Sequence, residues 1–228
     1  MRFAAGEGIV LESIEIETRA NPGWAVIWLH GLGADGHDFE PLVPELVRPG
    51  WPALRFVFPH APVRPVTING GMRMRAWYDI SGLEIANQQD EVGIRDSAKR
   101  VGQLIAREVE RGIPSERVIL AGFSQGGAIA LATGLTWERP LGAIVALSTY
   151  LPLADMIDAD LAAANRAVPI WMAHGSLDPT VSHALGGMSR DWLRAHGYSV
   201  QWHSYVMAHS VCAEEVRELS DWLGSRLS

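Results

Sequence analysis

The sequence predicts an α/β protein: a mostly parallel, twisted sheet with helices on both faces. Two observations carry that prediction. Short apolar runs alternate with helix-patterned stretches along the chain, the order a parallel sheet requires. The central runs are apolar on both faces, as strands covered from both sides must be. With 228 residues, the chain supplies enough core for one domain, expected to span 1–228.

Residues 10–17 alternate, with Glu15 and Glu17 outward, and read as an exposed edge strand. Residues 24–30 and 54–59 follow as buried strands. Residues 60–86 form an unusually long connection, and such segments are usually functional or disordered. Its aromatics, Trp77 and Tyr78, argue for order, and 71–78 is a candidate antiparallel piece. In 87–111, Ile94, Ala98, Val101, Ile105 and Val109 share one helical stripe with charges opposite; Gly112 and Pro114 stop the helix. After the strand 118–123, residues 124–137 are rich in small side chains and predict a buried helix close to the sheet. Strands at 143–148, 169–174 and 199–205 alternate with helices at 180–196 and 212–227.

Charge and composition exclude several functions. The net charge is −7, and Lys99 is the only lysine, so no broad pull toward nucleic acid or anionic membrane is expected. Cys212 is the only cysteine, which rules out an intrachain disulfide and fits a reducing compartment. There is no signal-peptide pattern at Met1–Glu7 and no apolar run near the roughly 20 residues of a spanning helix, so a cytoplasmic location is expected.

The sharpest local signal is Gly122-Phe123-Ser124-Gln125-Gly126, between a strand and a small-residue helix. That is the setting of a nucleophile elbow, where a strained turn lifts a serine Oγ clear of the sheet. A Cβ two residues to either side would strike neighbouring backbone, hence the glycines. The competing role for Ser124 is a helix N-cap. A serine nucleophile needs a base, and the base needs an orienting acid; after an elbow they follow in the order acid, then His. Asp178 is the acid close behind the strand 169–174, with an N-cap before Pro179 as its competing role. His209 lies in the loop after the last strand, where the base belongs.

Acyl transfer also needs donors for the oxyanion. One is the backbone N–H of Gln125, next to the nucleophile. The other comes from His30-Gly31-Leu32-Gly33, with Leu32 favoured and Gly31 the alternative; His30 reads as a structural hydrogen-bonder. The run Gly31 to Gly36 also matches a dinucleotide fingerprint, but the next strand ends without the acid that would hold a ribose. No phosphate loop and no metal-ligand spacing occurs, so neither a metal nor another cofactor is expected. Trp77 is either core or a wall of a substrate groove. Met207 is either core or an adaptable apolar contact beside the base. Arg73 and Arg75 are either solvated or attract anionic substrates.

Several blocks in order resemble the phospholipase/carboxylesterase family of α/β-hydrolases, the group of the acyl-protein thioesterases and small bacterial carboxylesterases. They are His30 to Gly33, Gly71 to Asp79, Gly122 to Ala128, Leu147 to Pro152, His174-Gly175 with Asp178, and Tyr205 to Ser210. The resemblance implies the α/β-hydrolase fold without a large lid domain, a shallow acyl groove, and a Ser124–His209–Asp178 triad with oxyanion donors at Leu32 and Gln125. It implies hydrolysis of short- and medium-chain carboxylic esters through an acyl-enzyme; acyl thioesters or lysophospholipids are the alternative substrates. Members need no cofactor, and several are homodimers. Thr180-Val181-Ser182-His183 departs from the apolar sequence common after the acid. A non-catalytic binding module on the same fold is the rival class, and the complete set of catalytic residue types argues against it.

Overall fold

The computed structural model describes residues 11–82 and 89–227. In chain order the strands are β1 (Ser13–Glu17), β2 (Trp24–Leu29), β3 (Leu54–Pro59), β4 (Val63–Val66), β5 (Met72–Arg75), β6 (Val118–Phe123), β7 (Ala143–Leu147), β8 (Ile170–Gly175) and β9 (Val200–Tyr205). Seven of them form one sheet in the order β1-β3-β2-β6-β7-β8-β9. Strand β1 is antiparallel to β3, as suits an edge; every other pairing in this sheet is parallel. The antiparallel piece expected near 71–78 is β5, and its partner is β4.

Side-chain alternation splits the interior into two apolar layers. Ile27, Leu29, Leu120 and Ile144 point into one layer. Val26, Trp28, Ile119 and Val145 point into the other. The first is covered by α2 (Glu91–Glu110), α3 (Gln125–Thr136), α4 (Ala154–Asp160) and α5 (His183–Ala195). The second is covered by α1 (Val43–Leu46) and α6 (Ala213–Gly224). Helix α3 is buried from Gln125 to Leu135, and its small side chains let it lie close to the sheet. No separate lid domain stands over the sheet among the described residues. None of their helices is long and apolar enough to cross a membrane.

Two elements differ from expectation. Residues 83–88, which hold the expected start of the helix at 87, lie outside the described residues; α2 itself begins at Glu91, capped by the Asp90 carboxylate on Gly93 N–H. Charge is also not confined to the outer face of α2. Glu108 is fully buried and meets Arg55 at 2.7 Å and Arg111 at 2.9 Å. Arg55 reaches Glu17 at 2.9 Å as well, so a buried ion cluster ties β1, β3 and α2 together. A charge this deep persists only when paired.

Candidate active site

Ser124 sits between β6 and α3 with φ 54° and ψ −122°. Its side chain makes no cap hydrogen bond, so the helix does not use the hydroxyl. Such a conformation costs on the order of 1–3 kcal/mol and must be held by its surroundings. Here the Ser124 N–H donates to Leu147 O at 2.8 Å, and Thr149 Oγ1 donates to Ser124 O at 2.6 Å. A Cβ on Gly122 would lie 2.4 Å from the Gly126 backbone, and one on Gly126 would lie 2.3 Å from Leu29 O. Sterics therefore dictate both glycines.

Asp178 follows β8 and is buried. Its two oxygens divide the two roles that seemed to compete. Oδ1 accepts the N–H groups of Thr180 (2.8 Å) and Val181 (2.9 Å), while Oδ2 meets His209 Nδ1 at 2.7 Å. The Oδ1 bonds hold residues 180–181 in an Asx-type turn. That is why α5 starts at His183, later than expected, with Ser182 as its N-cap. His174 Nε2 hydrogen-bonds Val181 O at 2.9 Å and lies 3.5 Å from Asp178 Oδ2. Burial holds this imidazole below the usual histidine range, so it faces the carboxylate as a neutral ring.

His209 lies in the connection between β9 and α6. Its ring packs on Phe123, with centroids 4.7 Å apart, which brings the imidazole beside the Ser124 turn. The Leu177 N–H donates to Met207 O at 3.1 Å and joins the acid and base loops. Leu177 and Val206 are 66% and 88% exposed, an apolar rim with no signature in the sequence beyond two ordinary aliphatic residues.

Helix α6 anchors the base loop from below. Glu215, fully buried, accepts from Cys212 N–H, and its Oε1 has no partner. Burial pushes its carboxyl up to about 8. The proton is therefore bound more tightly in the folded state. This contribution to stability is complete below the ordinary value of 4.5 and is lost as pH rises through about 8. Glu215→Gln, neutral at every pH, is expected to be the more stable form at pH 9 by on the order of a few kcal/mol, with the gap closing by pH 5. Urea unfolding of both proteins at the two pH values measures it.

The second donor loop is a tight turn. Ala34 N–H reaches Gly31 O at 3.3 Å, Gly33 has φ 78°, and Gly33 N–H is taken by Arg75 O at 2.9 Å. Leu32 N–H stands outside these bonds. A Cβ on Gly31 would lie 3.5 Å from Ser124 Cβ, so the turn abuts the serine. Gln125 N–H is at the first position of α3, where a helix supplies no acceptor. The loop opens onto a short 3-10 turn, Glu40–Leu42, and the four-residue α1. It thus lacks the helix start that a dinucleotide pyrophosphate would use.

Ser124, Asp178, His209, Leu32 and Gln125 thus all follow the carboxyl ends of sheet strands: β2, β6, β8 and β9. Trp77 and Met207 do not join them as groove walls. Trp77 is 0% exposed, its indole N–H bonded to His30 O at 2.9 Å. Met207 is buried in the second apolar layer. In both, apolar bulk went to the core. Arg75 donates to Ala61 O and Arg73 to Val63 O, so both guanidinium groups stitch the β4–β5 hairpin. Among the described residues no group of three or more His, Cys, Asp or Glu side chains is arranged to hold a metal ion.

Residues 12–226 match the family model described as phospholipase/carboxylesterase. An acyl-protein thioesterase 1 of Neurospora crassa is 42% identical over 212 residues, covering 89% of this chain and 86% of that protein. The crystal structure of Arabidopsis thaliana SOBER1 superposes with a TM-score of 0.85 at 30% identity, covering 90% of this chain and 99% of that one. That of Zea mays acyl-protein thioesterase 2 gives 0.83 at 28% identity, covering 96% and 100%. The strand order, the elbow and these matches agree: the chain is an α/β-hydrolase-fold enzyme and belongs to the phospholipase/carboxylesterase family of hydrolases.

Proposed function

We propose that this hydrolase cleaves acyl thioesters, and oxygen esters by the same route, using Ser124 as nucleophile, His209 as base and Asp178 as the orienting acid. The observation that carries the reaction type is the 2.7 Å contact of His209 Nδ1 with Asp178 Oδ2 beside the Ser124 turn. With Nδ1 held by the carboxylate, Nε2 is the nitrogen left to exchange a proton. It takes the Ser124 hydroxyl proton as Oγ bonds the substrate carbonyl carbon. The N–H groups of Leu32 and Gln125 receive the oxyanion. Collapse breaks the C–S or C–O bond, and His209 returns the proton to the leaving thiol or alcohol. A water, deprotonated by His209, then attacks the acyl-enzyme, and the proton goes back to Ser124 Oγ.

The sequence alone put carboxylic esters first. The relatives named acyl-protein thioesterase 1 favour the thioester reading instead. A groove of about 430 Å³ beside the loop that follows β7 combines Leu151, Leu153, Leu185, Met188 and Trp192 with the polar Gln89, Asp155 and Ser189, and its apolar side offers a surface for an acyl chain. Acyl esters and thioesters of increasing chain length, matched in leaving-group skeleton, test the reading. A higher kcat/KM on the thioester at each length is expected. Turnover of esters without thioesters restores the carboxylesterase, and turnover of neither favours a binding module.

A further inference from the structure

We infer that Trp77 is a positioning residue for the oxyanion site, a buried clip that sets the spacing of its two amides. The inference rests on the assignment of Leu32 and Gln125 as donors made above. Trp77 carries two N–H groups, and each holds one side of that site. Its indole N–H donates to His30 O at 2.9 Å. Its backbone N–H donates to Gln125 Oε1 at 2.8 Å. Gln125 Nε2 in turn donates to Tyr78 O at 2.7 Å, so the glutamine side chain is tied at both its atoms. The Trp77 carbonyl accepts from Ser97 Oγ of α2, which fixes the clip to the helix layer.

The chain of contacts continues to Leu32. Ala61 N–H donates to His30 Nε2 at 3.0 Å, which leaves the ring proton on Nδ1. That Nδ1–H meets Gly31 O at 2.7 Å. Burial pushes the His30 imidazole down to about 4, so the ring keeps this single tautomer at neutral pH. The Gly31 carbonyl and the Leu32 N–H belong to one planar trans peptide, so holding the first aims the second. Donation into the carbonyl also strengthens the N–H as a donor. His30, Trp77, Ser97 and Gln125 are all buried, so water does not compete for these bonds. The indole nitrogens of Trp28, Trp171 and Trp222, packed in the other apolar layer, meet no acceptor among the described residues, whereas that of Trp77 is spent on the loop that carries Leu32.

Trp77→Phe keeps an aromatic ring and the backbone N–H but removes the indole donor. Gln125→Met keeps both oxyanion amides and removes the other end of the clip. Each is assayed for kcat and KM on an acyl thioester, for thermal unfolding, and for binding of an acyl trifluoromethyl ketone. That ketone accepts Ser124 Oγ and presents a charged oxygen to the site. The expectation is a kcat lower by about 10- to 100-fold, KM within about 2-fold of wild type, and ketone affinity weakened in step with kcat. A folded Trp77→Phe with wild-type kcat and ketone affinity overturns the clip. So does a raised KM with unchanged kcat, which would place the effect on substrate binding and not on the oxyanion site. If Trp77→Phe does not fold, Gln125→Met decides on the same criteria. Ser124→Ala separates the failures: hydrolysis retained there defeats the site assignment, whereas an inactive Ser124→Ala beside a wild-type-like Trp77→Phe defeats the clip alone.

Discussion

Ser124→Ala is expected to lower kcat by about 10⁴- to 10⁶-fold and to leave stability within about 1 kcal/mol of wild type. The two halves of this expectation have separate causes. On the proposed mechanism no acyl-enzyme forms without Oγ, and what remains is water attack assisted by the oxyanion amides. Stability is spared because the hydroxyl makes no cap bond to α3. Alanine also inherits the same positive φ, so the strain of the turn is unchanged. Turnover, fluorophosphonate labelling and thermal unfolding on one preparation check both halves. Activity within about tenfold of wild type removes Ser124 from the mechanism.

Asp178→Asn is expected to cost about 10⁴-fold in kcat, again with modest loss of stability. The amide oxygen can still accept from Thr180 and Val181, so the turn survives. The amide NH₂ then faces His209 Nδ1 and makes that nitrogen an acceptor. The proton is driven to Nε2, where it blocks removal of the serine proton. Asp178→Ala loses the turn as well and is expected to be less stable than Asp178→Asn at equally low activity. If Asp178 served only the turn, Asn would be nearly as active as wild type and Ala alone would suffer. Steady-state kinetics and melting temperatures of the pair separate the two cases.

The parts of this molecule that were legible in the sequence are those with one dominant physical cause. The central strands show as unbroken apolar runs because both faces are covered. The elbow shows because backbone crowding leaves only glycine at 122 and 126. Legibility fails where one residue type serves two environments equally well. Trp77 has the same apolar bulk in a core as in a groove wall, and only its complete burial in the fold tells them apart. The start of α5 is not legible because an aspartate before proline caps a helix or an Asx turn alike, and here His209 takes the second oxygen. Glu108 was hidden for a related reason: its partner Arg55 lies 53 positions away, beyond any periodicity on α2. The β4–β5 hairpin was only half visible because Pro65 and exposed Val63 do not alternate like a half-buried strand.

The order in which the site is built along the chain has a consequence for synthesis. Ser124 ends a central strand, flanked by β2 and β7. His209 follows β9, an outer strand of the sheet paired with β8 alone. The loop that carries it is closed from behind by α6, whose Ser220 Oγ bonds Leu46 O across 174 positions. Contacts that span such separations form late. During translation, the segment bearing the serine is therefore complete well before the imidazole arrives. On the roles proposed for Ser124 and His209, the nascent chain emerges as an unarmed hydrolase, unable to attack acyl groups until α6 docks.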